Sequence, residues 1–368
     1  MKSAPYHRTL ACVALVLGGA PCVSAAGAGG WALERPVAQA DGTMVQEPLE
    51  YVPLERAVRN WRLCILYPHI KDPYWLSVNY GMVEEARRLG VSFTLHEADG
   101  YPNRARQAEQ IRACARSEAD AIILGTVSFD GHTETVLDVA AQMPVIAVVN
   151  DIHPAGISAK AAVSWVEMGA SAGRFLAERH PADTPPVRVA WFPGPYGAGW
   201  VGIIESGFHA AIAGSAVEIA GIYYGDTGRQ DQILLVEQAL EAHPGIDYIV
   251  GNGPSAEVAV SILRAQGLSD DIGIVSTYLS HAVFRGLQRG RILAAPTDFP
   301  VLQGRLGVEM AVRALQSELL VTEAGPSIVT VTPETVAEVG SLESLAPADF
   351  EAVFEFESTP VQGPAATD

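Results

Sequence analysis

The chain has 368 residues, of which 49% are hydrophobic, and this is enough to bury the cores of two domains of ordinary size. A formal net charge of −18 disfavours nucleic acid as a partner, because the phosphate backbone repels an acidic surface. Beyond the N-terminal region, no stretch reaches the roughly 20 apolar residues that a membrane-spanning helix needs.

The N-terminal segment has the features of an export signal. Lys2 and Arg8 precede an apolar run over residues 10–18, and small residues follow up to Ala25. This run is short for a membrane-spanning helix. We therefore expect residues 1–25 to be removed by cleavage near Ala25, leaving an exported protein that is not inserted in the membrane; an uncleaved anchor is the alternative.

Residues 26–59 contain proline and show no clear periodicity, so we interpret them as an extended arm lying on the first domain. The stretch from Leu63 is continuously apolar and stops at Pro68, as a buried parallel strand does. A helical stripe follows from Trp75 to Leu89. Asp72 is a suitable cap for this helix, so Tyr74 and Trp75 should lie at the carboxyl end of the first strand, where open α/β sheets bind ligands.

The same strand and helix unit repeats along the first half of the chain. Strand candidates begin near Leu63, Val91, Ala121 and Val145. A helix is predicted over residues 103–116, with Ala108, Ile111 and Ala115 on its buried face. This βαβα pattern predicts a parallel sheet covered by helices on both faces.

The second half continues the pattern after a new apolar strand at residues 187–192. Further strands are predicted at residues 217–224, 248–250, 273–277, 292–295 and 327–331, with helices at 168–179 and 301–320. From about residue 341 the composition favours an arm and a loose tail. The sequence therefore predicts two successive α/β domains.

Two cysteines remain after the signal segment, Cys64 and Cys114. In a doubly wound sheet of order 2-1-3, the helix between strands two and three passes over strand one. Cys114 is on that helix and Cys64 on that strand, so we predict a disulfide between them in an oxidising compartment. Two buried free thiols are the alternative.

Enzyme signatures do not stand out. The glycine-rich run at residues 194–199 is not followed by the Gly-Lys-Ser/Thr of a phosphate loop, and we find no nucleophile elbow or metal-ligand helix pair. We therefore expect no enzyme, no cofactor and no metal site.

Several short segments carry a family resemblance: Cys64-Ile65-Leu66-Tyr67-Pro68, Lys71-Asp72-Pro73-Tyr74-Trp75, Asn79-Tyr80-Gly81-Met82, Ser164-Trp165 with Met168-Gly169, Tyr278-Leu279-Ser280-His281 and Arg289-Gly290-Arg291. Over roughly residues 60–335 the chain resembles the class I, sugar-type periplasmic binding proteins. Within that family it is similar to proteins that bind trimethylamine N-oxide and work with a membrane sensor histidine kinase.

The resemblance implies a periplasmic location and two Rossmann-like lobes, each a parallel sheet covered by helices, with three crossings between them. On this basis we predict an N-terminal lobe from residues 60–163 and 298–325, a C-terminal lobe from 164–297 and 326–340, and a tail at 341–368. The polar clamps of related sugar binders are missing at Gly207-Phe208, at residues 251–253 and at residues 276–278.

The resemblance also implies a ligand site between the lobes. Ring faces recognise a trimethylammonium group well, and four aromatic side chains fall on loops near the junction: Tyr74, Trp75, Tyr101 and Trp165. Asp72 would complement the ammonium group or serve only as a helix cap. Asn252 and Tyr278 end strands and are candidate donors to the oxide. Ordinary half-buried aromatics at a domain junction are the alternative.

The implied function is the sensing of trimethylamine N-oxide, with occupancy reported to the periplasmic domain of the kinase. The alternative is a solute-binding subunit of an importer for a sugar or another small methylammonium compound.

Overall fold

The structure is a computed structural model that describes residues 30–39, 44–339 and 344–358. The predicted export signal at residues 1–25, with its cleavage site, lies outside the described residues, as does the end of the predicted tail from residue 359. No helix within the described ranges is long and apolar enough to cross a membrane.

Strands and helices alternate along most of the described chain. The strands are β1 Trp31–Ala38, β2 Met44–Tyr51, β3 Arg62–Tyr67, β4 Ser92–Glu97, β5 Ala121–Leu124, β6 Val145–Val148, β7 Ala159–Ala161, β8 Val187–Gly194, β9 Val217–Tyr224, β10 Tyr248–Gly251, β11 Gly273–Ser276, β12 Ala295–Thr297, β13 Glu323–Ala324, β14 Val329–Val331 and β15 Glu355–Phe356. The helices are α1 Pro73–Leu89, α2 Arg104–Arg116, α3 Thr133–Ala140, α4 Trp165–Ala177, α5 Val201–Ile212, α6 Arg229–Ala242, α7 Gly253–Gln266, α8 His281–Gln288 and α9 Pro300–Leu315.

Two parallel sheets organise the molecule. The first has the order β13-β7-β6-β5-β3-β4-β15, parallel except for β15 at one edge, and the second has the order β11-β10-β8-β9. The strands β4-β3-β5 reproduce the predicted 2-1-3 order. We call the first sheet with α1, α2, α3 and α9 the first lobe, and the second sheet with α4 to α8 the second lobe. The predicted α/β fold class is confirmed.

The chain passes between the lobes three times: from β7 to α4, from β12 to α9, and from β13 to β14. Helix α9 lies against α1, where Gly81 allows the backbones to meet: a Cβ there would lie 1.9 Å from the carbonyl oxygen of Val301. The short antiparallel pair β12-β14 lies beside the second sheet through a bridge from Val275 to Ala294. The exact ends of the two lobes stay a prediction.

Helix α2 turns the predicted face towards the first sheet. Its buried residues are Gln107, Ile111 and Cys114, and Ala108 and Ala115 are half-buried on the same face. Cys114 must face β3 because it forms a disulfide with Cys64, as the topology predicts. Gln107 tolerates burial because its amide donates to the carbonyl of Gly125 and accepts from the backbone of Val127.

The described residues of the N-terminal arm include two paired strands, which the absence of a clear periodicity did not predict. Strands β1 and β2 pair antiparallel, and Trp31 stacks on Tyr51 with ring centroids 5.6 Å apart. The arm is fixed to the first lobe because buried Glu309 accepts from the backbone of Leu54 at 2.7 Å and from Arg313 at 2.8 Å.

Candidate ligand-binding site

A small cavity between the two lobes is lined mainly by aromatic rings. Its walls are formed by Asp72, Tyr74, Trp75, Tyr101, Val149, Asn150, Trp165, Trp200, Thr227 and Tyr278. Six of these ten side chains are aromatic, and all six are buried. The cavity is at the carboxyl ends of β3, β6 and β9, where an open α/β sheet offers loop residues to a ligand.

The start of α1 supplies one wall. The Asp72 carboxylate accepts from the backbone N–H of Tyr74 at 3.0 Å, so it caps the helix and fixes the first turn. Trp75 then lies edge to face against Tyr74, at 6.0 Å and 79°. Trp75 also contacts the backbone at the end of β5: a Cβ on Gly125 would lie 2.5 Å from the indole, so only glycine leaves room for the ring.

Tyr101 contributes both a ring and a hydroxyl group. Its oxygen lies 3.0 Å from Asn150 Nδ2 and 3.3 Å from Trp200 Nε1, and both of those groups donate to it. The oxygen therefore accepts two hydrogen bonds. Among the residues that the structure describes, none accepts a hydrogen bond from the Tyr101 hydroxyl. The Tyr101 O–H is left as a donor at the cavity wall.

Trp165 is oriented by a strained turn after β6. Val149 has φ 62°, a left-handed conformation that a β-branched residue rarely adopts and that costs on the order of 1–3 kcal/mol. In this conformation its carbonyl accepts from Trp165 Nε1 at 2.9 Å, and the next residue, Asn150, points to Tyr101. Backbone strain of this kind is concentrated at functional sites.

Polar contacts join the two lobes around the cavity. The hydroxyl of Tyr278, from the second lobe, donates to Asp72 Oδ2 at 2.5 Å. Burial raises the pKa of the Asp72 carboxyl, and the hydrogen bond from Tyr278 opposes that rise. At the second crossing, the hydroxyl of Tyr74 donates to Asp298 at 2.5 Å. The position of Asp72 is therefore compatible with both hypotheses, that it caps the helix and that it lines the cavity.

The rings leave little free space. The space open to the centre of a water molecule is about 10 Å³, which corresponds to about one water. Trp165 and Trp200 lie 5.0 Å apart at 32°, and Trp200 meets Tyr278 edge to face at 6.5 Å. This form of the protein is closed. A ligand larger than water therefore needs the lobes to separate for entry, and the rings must move to make room for it when the lobes close.

The structure brings six of the seven predicted ligand residues to one cavity: Asp72, Tyr74, Trp75, Tyr101, Trp165 and Tyr278. It does not bring Asn252 there. The side chain of Asn252 caps α7 by accepting from the backbone of Ser255 at 3.0 Å and donates to the carbonyl of Phe192. Its hydrogen-bonding capacity is thus used within the second lobe.

Four cavity residues were not predicted: Val149, Asn150, Trp200 and Thr227. Trp200 had a signal, because it follows the glycine-rich run after β8, at the carboxyl end of a strand. Val149 and Asn150 also directly follow a buried strand, and Thr227 follows β9. The described residues contain no group of three or more His, Cys, Asp or Glu side chains arranged to hold a metal ion.

Asp298 should make stability depend on pH. Burial raises its pKa to about 6, although the hydrogen bond from Tyr74 lowers it. A raised folded-state pKa gives stability that is present below the unfolded value near 4 and is lost as the pH rises through about 6. Between about pH 4.5 and 7, the parent should lose about 2 kcal/mol of unfolding free energy through the titration of Asp298. Asp298→Asn should not show this loss, because asparagine does not titrate.

Urea unfolding of both proteins at a series of pH values measures this difference. Asp270→Asn is the matched control, because the side chain of Asp270 is 98% exposed. Parallel pH profiles for the parent and Asp298→Asn would show that Asp298 does not carry the effect.

Three comparisons place this architecture among known proteins. A sequence model described as "Periplasmic binding proteins and sugar binding domain of LacI family" matches residues 60–320. The chain is 41% identical over 306 residues to the periplasmic protein TorT of Escherichia coli K12, covering 83% of this chain and 87% of that protein.

Two solved structures are similar over most of the chain. One is an ABC transporter solute binding protein from Bradyrhizobium sp. BTAi1 with bound bis-tris, with 42% identity, a TM-score of 0.76, and coverage of 90% of this chain and 100% of that chain. The other is a complex of the TorS sensor domain with TorT in the presence of TMAO, with 39% identity, a TM-score of 0.73, and coverage of 80% and 100%. This chain therefore belongs to the family of periplasmic binding proteins that also includes the sugar-binding domain of LacI-type proteins.

Proposed function

We propose that this protein binds trimethylamine N-oxide (TMAO) in the aromatic cavity between its lobes and reports occupancy to a TorS-like sensor histidine kinase in the periplasm. The observation that carries this proposal is the cavity itself: six buried rings, one carboxylate and one free hydroxyl donor at a single interlobe position. The similarity to TorT proteins, of which one is solved as a complex with the TorS sensor domain in the presence of TMAO, supports the choice of ligand and partner.

The rings suit the methylated end of the ligand. A trimethylammonium group carries a diffuse positive charge and has no conventional hydrogen-bond donor, so aromatic faces bind it better than polar side chains do. Trp75, Trp165 and Trp200 are the strongest candidates, because indole is the best cation–π partner. The Asp72 carboxylate lies on the same cavity wall and adds a complementary charge.

The hydroxyl of Tyr101 suits the oxide. Because its oxygen accepts from both Asn150 and Trp200, the O–H bond is polarised and its direction is restricted to the remaining position. An N-oxide oxygen accepts hydrogen bonds and donates none. The site therefore contains one oriented donor for the one oxygen of the ligand.

The partner would read the relative position of the lobes. The cavity residues come from both lobes, so occupancy and lobe closure are linked, and a kinase domain that contacts both lobes would bind the closed form differently from the open form. By linkage, the kinase domain and the ligand must change each other's affinity by the same factor.

A second candidate is a solute-binding subunit of an importer. The 42% identity to an ABC transporter solute binding protein with bound bis-tris favours this reading. Bis-tris and TMAO both contain a nitrogen bonded to three carbons, so the same rings could contact either. The two candidates differ in output: importer subunits need no sensor domain, and coupling to one distinguishes them.

Calorimetric titration with TMAO, with and without the periplasmic domain of the kinase, tests the proposal. TMAO has five non-hydrogen atoms, so its binding free energy should not exceed about −7.5 kcal/mol, which corresponds to a Kd of order micromolar. Equal TMAO affinity in the presence and absence of the sensor domain would favour the importer reading, and tighter binding of bis-tris than of TMAO would do the same.

Tyr101→Phe tests the oxide contact separately. We expect TMAO binding to weaken by about 1.5 kcal/mol, roughly tenfold, because the ring remains and the donor to the oxide is lost. The same change removes the acceptor of Asn150 and Trp200, so stability should fall as well. Tetramethylammonium is the matched ligand control, since it replaces the oxygen with a methyl group and should bind the parent and the variant alike. Equal weakening for both ligands would mean that the variant has damaged the cavity rather than removed a specific hydrogen bond.

A further inference from the structure

A second interlobe contact lies beside the cavity and involves His69, which follows β3 in the first lobe and is fully buried. His69 Nε2 is 3.1 Å from Asp226 Oδ1 and 3.2 Å from Thr227 Oγ1. Asp226 and Thr227 follow β9 in the second lobe. Within the described part of the chain, His69 Nδ1 has no hydrogen-bond partner, so the ring is oriented by its contacts across the lobe boundary.

The second lobe holds its half of this contact in place by itself. The backbone N–H of Thr227 donates to Asp226 Oδ1 at 2.8 Å, and the side chain of Gln232 donates to the Asp226 carbonyl at 2.8 Å. The carboxylate is therefore positioned before His69 meets it. Burial raises the pKa of Asp226, but the hydrogen bond and electrostatic interaction with His69 lower it by more, so its pKa lies below the ordinary value.

The first lobe fits closely around the same carboxylate. A Cβ on Gly100 would lie 2.6 Å from Asp226 Oδ2, so the loop before Tyr101 can approach only because residue 100 is glycine. Its φ of 127° is also one that glycine adopts without cost. The contact thus depends on complementary surfaces of both lobes, not on one flexible side chain.

The contact is coupled to the cavity. The His69 ring lies edge-on to Tyr101, with centroids 5.7 Å apart at 82°. Thr227, which meets His69 on one side, lines the cavity on the other. His69 and Asp226 do not line the cavity themselves, so they act on a ligand only through the position of the lobes and of Tyr101.

We propose that His69 and Asp226 form a closure latch, an interlobe pair of a buried imidazole and a partly exposed carboxylate that is made only when the lobes are closed and that raises ligand affinity by stabilising the closed form. This inference rests on the proposed function and names the residues that link occupancy to lobe position. A ligand that binds the closed form has an apparent affinity proportional to the fraction of protein that is closed. The latch residues are positioning residues.

Two removal variants, a conservative variant and a matched control test the latch. His69→Ala and Asp226→Ala each remove one partner, and His69→Gln keeps a nitrogen that can donate to Asp226. Asp99→Asn is the control: Asp99 pairs with Lys71 at 2.7 Å close by, but both residues belong to the first lobe and are about half exposed. Asn also tolerates the left-handed φ of 67° found at residue 99.

The measurements are the radius of gyration from small-angle X-ray scattering, with and without TMAO, and the TMAO affinity from calorimetry. We expect both alanine variants to weaken TMAO binding by about tenfold or more and to have a larger radius of gyration than the parent at the same TMAO concentration. His69→Gln should restore much of the affinity, and Asp99→Asn should match the parent. The double alanine variant should be no weaker than either single one.

The outcomes separate this inference from the proposed function. If the parent binds and closes but both alanine variants bind and close equally well, the latch is overturned while the proposed function stands. If the parent does not bind TMAO, the proposed function fails, and the latch is then judged on bis-tris as the probe and on the ligand-free radius of gyration. A parent that stays open under all of these conditions would overturn the latch as well.

Discussion

Trp165→Leu is expected to weaken TMAO binding by about 2 kcal/mol, roughly thirtyfold, and to lower the free energy of unfolding by about 3 kcal/mol. Leucine keeps an apolar side chain at the position but has no π face, so the desolvated cation–π contact is lost. Stability also falls, because Trp165 is only 4% exposed and packs on Trp200 with centroids 5.0 Å apart. Calorimetry and urea unfolding on the same preparation measure both quantities.

Trp191→Leu is the matched control for this prediction. Trp191 is also fully buried, in β8 of the second lobe, and it stacks on Phe208 at 4.1 Å and 10°. It does not line the cavity, so its loss should reduce stability by a similar amount and leave TMAO affinity unchanged among folded molecules. If Trp165→Leu behaves like Trp191→Leu, with lower stability and unaltered affinity, the ring at position 165 has only a structural role. The proposed contact between this ring and TMAO is then wrong.

Removing the Cys64–Cys114 disulfide is expected to cost about 4 kcal/mol of unfolding free energy. The bond joins residues 50 apart in sequence, and a loop of this length gives about that value in the chain-entropy account. The double variant Cys64→Ala/Cys114→Ala should therefore unfold at a markedly lower urea concentration than the parent. TMAO affinity at low temperature should change little, because the two cysteines lie in the hydrophobic cluster on the α2 side of the first sheet, away from the cavity.

Reduction of the parent protein provides the control. Parent protein treated with a reductant should unfold at nearly the same urea concentration as the double variant, and the variant itself should not respond to reductant. If two thiols in the mature parent are labelled after denaturation without reductant, the disulfide is absent in solution and the predicted difference in stability should vanish.

The sequence by itself determined the elements whose signals are local. The continuous apolar strand before Pro68, the stripe of α1 and the Asp72 cap are set by residues within one turn or a few residues of each other, and the structure has all three. The order β4-β3-β5 and the disulfide also followed from the sequence, because right-handed crossover rules leave few arrangements of such units.

Only the tertiary structure decided which side chains meet. Tyr101 and Trp200 are 99 residues apart, and Tyr74 and Asp298 are 224 apart, so no local pattern encodes either hydrogen bond. The sequence could not show that the side chain of Asn252 caps α7, nor that Val149 adopts a left-handed φ that orients Trp165. Periodicity reports how each element meets water and the core, whereas a site between two lobes depends on how separately folded sheets are placed, and that placement is set by contacts distant in sequence.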